Sequence, residues 1–357
     1  MTSNINISSF QNMNTPETVI TSLPITPTIE NNIKIWRDEI SAILNKQDNR
    51  LIVIVGPCSI HDPGMAINYA NQLKILADHF SDRLKIIMRV YFEKPRTTIG
   101  WTGLINDPYL DGSYKINDGL FIARKLLLEI NKIGLPVACE FLDVFTPQYY
   151  ADLVSWGAIG ARTTESQLHR QLASGMSMPI GFKNGTSGNI EIARDAVIAS
   201  SLPHIFLGIN KKGHSCRITT KGNKNVHIIL RGSKNTPNYY PESVQKASSL
   251  LLKKNLNPVL IIDMSHGNSR KNHRNQLIVA ESICNQLNHN NTNIIGVMIE
   301  SNIKEGNQKL ISKDKLKYGV SITDACIDLP TTKIVLEQLY NSLNIRFTKK
   351  RCMATYY

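Results

Sequence analysis

The chain has 357 residues, of which 42% are hydrophobic and 19% charged, a composition typical of a folded protein with a sizeable core. A formal net charge of +13 raises the question of nucleic acid, but the lysines are spread along the whole chain among asparagines and isoleucines. No apolar run approaches the roughly 20 residues that span a bilayer, and the N-terminus lacks the apolar core of a signal peptide. We therefore expect a cytoplasmic protein with no nucleic-acid or membrane partner.

Residues 1–45 precede the first apolar run and are rich in Asn, Ser and Thr, with one helical pattern at about 31–44. We interpret them as an N-terminal extension for regulation or subunit contact. Residues 46–345 alternate short apolar runs with longer amphipathic stretches, and residues 346–357 form a C-terminal tail. The apolar runs begin at Leu51, Lys85, Val137, Ala158, Pro179, His204, Val226, Val259 and Asn293.

These apolar runs are short, β-branched and punctuated by Gly or Pro, which favours buried parallel strands. Repeated strand–helix units are typical of a doubly wound sheet or of a closed (β/α)8 TIM barrel, and the length fits the barrel. Nine strands are one too many for a barrel. The segment from Cys216 to Arg231 contains a Gly-Asn turn, so we interpret residues 214–232 or so as a β-hairpin inserted after the sixth strand.

In such a barrel the catalytic groups collect at the C-terminal ends of the strands. An ionisable residue stands at that end of eight runs: Cys58, Arg89, Glu140, Arg162, Lys183, Arg231, His266 and Glu300. A single His or Arg after a strand is usually structural. Recurrence at the same end of so many strands indicates an active site.

One part of this set has the chemistry of a metal site. Cys58, His266 and Glu300, with the nearby Asp324, offer a thiolate, an imidazole and two carboxylates. Mixed sulfur, nitrogen and oxygen ligands suit one divalent Mn, Fe, Co or Zn ion and suit Mg or Ca poorly. The spacing of the four residues gives no direct support, because only the barrel brings them together.

The second part is cationic, and its members are Arg89, Lys94, Arg96, Arg162, Lys183 and Arg231. So many cations at one end of the barrel repel each other unless anions bind among them. Arginine forks match phosphate and carboxylate oxygens, so two phosphorylated substrates would balance the site. The alternative is a set of structural salt bridges to Glu93, Glu140, Asp143 and Glu165.

Seven sequence blocks carry a family resemblance. They are GPCSIHD (56–62), MRVYFEKPRTTIGWTGLINDP (88–108), WGAIGARTTESQLHR (156–170), GFKNGT (181–186), HIILRG (227–232), DMSHGN (263–268) and SITDAC (321–326). From about Asn31 to about Leu343 the chain resembles type I 3-deoxy-D-arabino-heptulosonate 7-phosphate (DAHP) synthase of the bacterial and yeast subgroup, most closely the tyrosine-sensitive form.

The resemblance implies an enzyme that joins phosphoenolpyruvate, erythrose 4-phosphate and water, with release of phosphate, in the first step of aromatic amino-acid (shikimate pathway) synthesis. It implies that the metal ligands are Cys58, His266, Glu300 and Asp324. It implies that the phosphoenolpyruvate residues are Arg89, Lys94, Arg162, Lys183 and Arg231. The segment 94–97 matches the part that receives erythrose 4-phosphate, with Arg96 and Thr97 at its phosphate.

A mechanism follows as a hypothesis. A divalent ion supplies Lewis acidity at the aldehyde, C3 of phosphoenolpyruvate adds to the carbonyl carbon, and water attacks C2 as phosphate leaves. We expect Lys94 to protonate the new alkoxide, and Glu140 or His266 to orient the water. Cys58 is essential through the metal.

The family is commonly inhibited by an aromatic amino acid at a subunit contact that involves the N-terminal extension. By resemblance the inhibitor pocket contains Pro147, Gln148, Ser177, Phe206 and Gly208. A glycine at 208 leaves room for a phenol hydroxyl, so we expect tyrosine to be the inhibitor and the enzyme to be a homodimer or homotetramer. Two alternatives stay open: a barrel synthase that extends arabinose 5-phosphate, and a basic protein that binds nucleic acid.

Overall fold

The computed structural model describes residues 2–96 and 98–347 and contains ten β-strands. In chain order they are β1 (Leu51–Gly56), β2 (Leu84–Arg89), β3 (Val137–Glu140), β4 (Trp156–Ile159), β5 (Ile180–Lys183), β6 (Ile205–Ile209), β7 (Ser215–Thr219), β8 (Val226–Leu230), β9 (Leu260–Asp263) and β10 (Ile294–Glu300). All except β6 and β7 pair in parallel and close into a barrel in the order β1-β10-β9-β8-β5-β4-β3-β2. The predicted eight-stranded (β/α)8 barrel is confirmed.

In the same described ranges, ten α-helices accompany these strands. They are α1 (Pro16–Ser22), α2 (Pro27–Leu44), α3 (Pro63–His79), α4 (Ile116–Ile133), α5 (Pro147–Tyr150), α6 (Gln167–Gly175), α7 (Glu191–Ser200), α8 (Pro241–Leu252), α9 (Gln276–Asn288) and α10 (Leu329–Ser342). Local sequence sets several boundaries. Asp62 caps α3 by accepting from the Met65 N–H, and Gly134, at φ +94°, ends α4 in the left-handed conformation. Helices α3 to α10 follow the barrel strands along the chain.

The eight barrel strands are buried on both faces, as their uninterrupted apolar sequences predict. Successive residues of β1 alternate between two apolar clusters, one containing Leu51 and Val53 and the other Ile52 and Ile54. The first cluster also contains the buried faces of the surrounding helices, and the second fills the barrel interior. Polar groups are thereby concentrated at the ends of the strands.

The predicted position of the inserted hairpin is wrong. Residues 226–230 form the sixth barrel strand, and the hairpin is β6–β7, inserted after α7 and before that strand. Its strands pair antiparallel, with Ile205 opposite Thr219 and Ile209 opposite Ser215. The apolar run of β6 resembles a buried strand, but its outward face is open, with Leu207 81% exposed.

The N-terminal extension contains α1 as well as the predicted helix, and that helix, α2, starts earlier than predicted, at Pro27. Thr26 caps α2 by accepting from the Ile29 N–H. Ile40, Ile43 and Leu44 belong to the apolar cluster of the barrel interior. Helix α2 therefore closes the barrel mouth where the strands begin.

Only the first two residues of the predicted C-terminal tail lie in the described part of the chain. Arg346 donates hydrogen bonds of 3.1 Å to the carbonyls of Asn291 and Ile294, so the tail begins against the closed end of the barrel. The tail from residue 348 onward lies outside the described residues. Within the described ranges, no helix combines the length and the apolar character needed to cross a membrane.

Candidate active site

A cavity opens where the barrel strands end, and most of the residues predicted from the strand ends meet there. The predicted residues that line it are Lys94, Arg96, Glu140, Arg162, Lys183, Arg231, His266 and Asp324. Cys58, Arg89 and Glu300 are buried below the cavity. Cys58 contacts Lys94 and Glu300 lies near His266, both of which line the cavity, and Arg89 bonds Glu300. Thr97 lies outside the residues that the structure describes. The barrel thus gathers residues that are far apart in sequence.

Three of the four predicted metal ligands lie together at the floor of the cavity. One ligand atom each from Cys58, Glu300 and Asp324 lies within 4.8 Å of the other two. His266 stands beside this group rather than within it, with its Nε2 3.7 Å from a Glu300 carboxylate oxygen. Its Nδ1 lies 2.8 Å from a carboxylate oxygen of Asp263, which orients the ring with Nε2 toward Glu300. Thiol, carboxylates and imidazole are the donors that a divalent transition ion takes, so these residues fit such an ion.

Two cationic side chains, Arg89 and Lys94, contact this donor group directly. Arg89 pairs with Glu300 at 2.9 Å and donates to the Cys58 carbonyl at 3.2 Å. Lys94 Nζ lies 3.2 Å from the Cys58 sulfur. The Arg89 guanidinium is fully buried and engaged with protein groups, so in this structure it holds Glu300 and does not face the cavity.

Charge and burial set the ionisation of the donors. Burial raises the pKa of the Cys58 thiol to about 11. Burial by itself would raise the pKa of Asp324, but Lys94 and His266 outweigh it and hold that pKa below its ordinary value. The cluster therefore presents an ionised Asp324 and a thiol that must lose a proton before it can bind a metal ion.

The remaining cations form a ring around the cavity wall. Lys183 pairs with Asp263 at 2.9 Å, Arg96 donates to the Trp101 carbonyl, and Arg162 donates to the Pro95 carbonyl. The carboxylates that pair with Arg89 and Lys183 are thus Glu300 and Asp263, and neither was considered as a salt-bridge partner from the sequence. The ring retains positive charge that faces the cavity.

Among the described residues that line the cavity, four polar ones were not predicted from the sequence: Thr163, Thr186, Lys271 and Thr323. Lys271 has a left-handed backbone at φ +60°, which is strained for a residue other than glycine, and its N–H donates to the His266 carbonyl at 2.8 Å. In the sequence, Lys271 could have been found only through the segment SRK that directly follows the block DMSHGN. No apolar run ends at this segment, so it was not among the strand-end candidates.

Glu93, next to Lys94 in the chain, is a buried carboxyl between the active site and the loop that leads to α5. It accepts long hydrogen bonds from the Leu142 N–H at 3.3 Å and the Thr146 hydroxyl at 3.4 Å. Burial, with repulsion from Asp143 as a smaller cause, raises its pKa to about 8. Near neutral pH this carboxyl is therefore largely protonated in the native state.

This shift predicts the pH dependence of stability. Between pH 4.5 and about 8 an unfolded Glu93 is ionised while the native carboxyl keeps its proton, so the unfolded state binds fewer protons and stability falls as pH rises. We expect Glu93→Gln to unfold with a free energy roughly 2–4 kcal/mol higher than the wild type at pH 8, with the difference vanishing below pH 4.5. Urea unfolding at several pH values measures this, with the exposed Glu129→Gln as control. Parallel curves for wild type and Glu93→Gln would contradict the assignment.

A second cavity lies between α5, the end of α6 and the hairpin. Four of the five residues predicted for the inhibitor pocket line it: Pro147, Gln148, Ser177 and Phe206. Gly208 does not line it directly but faces Ile218, which does; a Cβ at 208 would lie 2.4 Å from the Ile218 Cδ1. Four of the five predicted residues therefore line one cavity, and the fifth, Gly208, packs behind its wall.

A closed (β/α)8 barrel with a thiol–carboxylate group and a ring of cations at the C-terminal ends of its strands has the arrangement of an enzyme active site. The model of the DAHP synthetase I family matches residues 25–337. The chain belongs to this family, and it is accordingly a transferase of aromatic biosynthesis.

Several relatives support this membership over nearly their whole length. The chain is 53% identical to the Phe-sensitive phospho-2-dehydro-3-deoxyheptonate aldolase of Escherichia coli (strain K12), covering 93% of this chain and 94% of the relative. It is 50% identical to the Tyr-sensitive enzyme of the same strain, covering 97% and 98%. A solved phospho-2-dehydro-3-deoxyheptonate aldolase from Francisella tularensis SCHU S4 superposes with a TM-score of 0.94 at 50% identity, covering 96% and 99%. Similar identities to Phe-sensitive and Tyr-sensitive enzymes do not select an inhibitor.

Proposed function

We propose that the chain condenses phosphoenolpyruvate with erythrose 4-phosphate and water to give DAHP and phosphate. The observation that carries the proposal is the cavity in which cations from several strand ends surround a thiol–carboxylate donor group. Relatives at about 50% identity that are named phospho-2-dehydro-3-deoxyheptonate aldolase support the same reaction.

Phosphoenolpyruvate binds through the cations of the cavity wall. Arg162, Lys183 and Arg231, which follow or end β4, β5 and β8, line the cavity and are suited to its phosphate and carboxylate. Arg96, together with Thr97, receives the phosphate of erythrose 4-phosphate. Arg89 supports this site from below, and its role as a direct phosphoenolpyruvate ligand stays a prediction.

Cys58, Glu300, Asp324 and His266 would hold one divalent Mn, Fe, Co or Zn ion. When bound, such an ion supplies Lewis acidity at the aldehyde oxygen of erythrose 4-phosphate. Lys94, whose ammonium contacts the Cys58 sulfur, is placed to give a proton to the alkoxide that forms there. Burial by itself would lower its pKa, but the Cys58 thiolate, when formed, and the carboxylates of Glu140 and Glu300 raise that pKa above its ordinary value.

Glu140 is the better candidate to orient the attacking water. Its carboxylate lies on the cavity wall against Gly160, where an added Cβ would lie 2.1 Å from the carboxylate oxygen Oε1. His266 has one nitrogen held by Asp263 and the other turned to Glu300. We therefore assign the water to Glu140, which lines the cavity, and place His266 with the donor group.

An aldose panel tests the proposed reaction. The purified protein, supplied with Mn²⁺ and phosphoenolpyruvate, is incubated with erythrose 4-phosphate or with arabinose 5-phosphate, and phosphate release and product mass are measured. We expect turnover with erythrose 4-phosphate at least about a hundredfold above that with the longer aldose, because Arg96 fixes the distance from aldehyde to phosphate. Equal turnover of both would favour the arabinose 5-phosphate synthase, and turnover of neither would reject the function.

The subunit contact is a further part of the proposal. The hairpin exposes Ile205 and Leu207, and the segment before α1 exposes Ile5 and Phe10. Two exposed apolar segments on one chain favour burial in a homodimer or homotetramer. Because the Glu17 N–H donates to the Lys211 carbonyl at 2.8 Å, the N-terminal extension already contacts the hairpin beside the second cavity.

Inhibition by tyrosine at the second cavity is a testable prediction. Tyrosine should inhibit the wild type more strongly than phenylalanine or tryptophan. Gly208→Ser should weaken tyrosine inhibition about tenfold or more, because the added side chain pushes Ile218 into the cavity. Inhibition curves for all three amino acids on both proteins measure this, and an unchanged KM for phosphoenolpyruvate without inhibitor is the internal control. A wild-type protein that tyrosine does not inhibit would contradict the assignment of tyrosine as the inhibitor.

A further inference from the structure

Three buried asparagines connect the loops that follow β5, β8 and β9. Asn184, Asn238 and Asn268 are 0%, 9% and 3% exposed. The Asn238 side-chain amide donates to Asn184 Oδ1 at 3.1 Å, and the Asn238 backbone N–H donates to Asn268 Oδ1 at 2.8 Å. The three residues are therefore joined by one continuous set of side-chain and backbone hydrogen bonds, which we call the amide network.

The amide network holds the backbone around Arg231. Asn184 accepts from the Arg231 N–H at 2.8 Å and donates to the Gly232 carbonyl at 3.0 Å. Asn238 accepts from the Gly232 N–H at 2.7 Å, and Asn268 donates to the carbonyl of Leu230 at 3.1 Å. These bonds fix successive peptide groups just where β8 has ended and strand pairing no longer supports them.

Two glycines press this backbone against the loop that carries His266. Gly232 adopts φ +73°, and a Cβ there would lie 2.7 Å from the Asn268 backbone nitrogen. A Cβ at Gly267 would lie 2.3 Å from the Ser233 carbonyl oxygen. The loops after β8 and β9 thus touch through their main chains, so the origin of the Arg231 side chain is fixed relative to the neighbouring loop.

The Arg231 guanidinium itself is left available. It lines the active-site cavity, and within the described ranges it has no hydrogen bond or ion pair to the protein. An arginine whose backbone is fully restrained and whose guanidinium is unengaged is preorganised for an anionic ligand. The network also reaches the adjacent cation, because Asn268 donates to the Asp263 carbonyl at 2.8 Å and Asp263 pairs with Lys183.

We propose that Asn184, Asn238 and Asn268 are positioning residues that hold Arg231 in the orientation that binds the phosphate of phosphoenolpyruvate. The proposal rests on the proposed function. It gives a role to Asn238, which lies outside every block that carried the family resemblance and touches no cavity-facing atom of Arg231.

The test is a double-mutant cycle read by phosphoenolpyruvate binding, measured by calorimetry on the whole protein, together with steady-state kinetics. Asn238→Ala should raise the dissociation constant and the KM for phosphoenolpyruvate about tenfold while kcat and the KM for erythrose 4-phosphate change less than about threefold. Arg231→Ala should raise the dissociation constant more. In the Arg231→Ala background, Asn238→Ala should then have no further effect, because the side chain that it positions is gone.

Matched variants separate positioning from general stability. Asn131→Ala removes another buried asparagine, which bonds the carbonyls of Leu127 and Leu153 on the outside of the barrel, and should lower the melting temperature without changing phosphoenolpyruvate binding. If Asn238→Ala folds poorly, Asn238→Ser keeps a polar group in place and should show the same loss of affinity. Additive effects in the cycle, or a melting-temperature loss without an affinity loss, would overturn the proposal. A wild type that binds phosphoenolpyruvate but forms no DAHP would instead contradict the proposed function.

Discussion

Cys58→Ala should lose metal-dependent turnover by about a thousandfold or more while the protein stays folded. The side chain supplies the only sulfur in the donor group, and Lewis acidity at the aldehyde is worth several kcal/mol of transition-state stabilisation. Removing a buried thiol that contacts Lys94 leaves only a small cavity. Turnover with saturating Mn²⁺, metal content after gel filtration and circular dichroism together measure the expectation.

The matched control is Cys139→Ala. Cys139 is equally buried but lies on β3 in the cluster that faces the helices, away from the donor group. It should cost about 1 kcal/mol of stability and leave turnover and metal content unchanged. If Cys58→Ala retained both metal and near-normal turnover, the role assigned to the thiol would be wrong.

Arg89→Met should cost about 3–5 kcal/mol of unfolding free energy and abolish turnover. The Arg89–Glu300 pair is only 1% exposed on either side, so loss of the guanidinium leaves a buried, uncompensated carboxylate. The double variant Arg89→Met/Glu300→Gln removes both charges and should recover most of that stability. Turnover should stay lost in the double variant, because Glu300 is a proposed metal ligand. Urea unfolding of the single and double variants provides the measurement.

Arg124→Met is the control for a buried arginine outside the active site. Arg124 bonds both carboxylate oxygens of Asp152, at 2.7 and 2.9 Å, on the outer side of the barrel. This variant should lose stability but keep its turnover without inhibitor. Failure of the Arg89/Glu300 double variant to regain stability would show that the ion pair is not what the arginine stabilises.

The barrel was predictable because its strands carry a strong local signal, and the error arose where that signal is ambiguous. Both β6 and β8 are short, β-branched and apolar, and composition cannot separate a buried strand from one with an open apolar face. The number of residues between the strands distinguishes the hairpin from the barrel strand. Only five residues separate β6 from β7, and six separate β7 from β8, too few for the parallel crossover of a dozen or more residues that a barrel needs.

The active site was predictable to the extent that its side chains stand directly at strand ends. Lys183 and Glu140 are the last residues of their strands, so the barrel alone places them in the cavity. Lys271 and Asn238 belong to long loops whose paths depend on tertiary hydrogen bonds, and no local periodicity marks them. Burial of Arg89 beneath the cavity likewise depends on the pairing with Glu300, which only the folded barrel creates.

The most direct test is a crystal structure of the protein with Mn²⁺ and phosphoenolpyruvate, with the ion located by its anomalous scattering. We expect the ion in direct contact with Cys58, Glu300, Asp324 and His266, and the substrate phosphate on Lys183 and Arg231. The ligand atoms of the first three already lie within 4.8 Å of one another, and His266 Nε2 lies 3.7 Å from Glu300. An ion bound elsewhere, or phosphoenolpyruvate outside this cavity, would contradict the account.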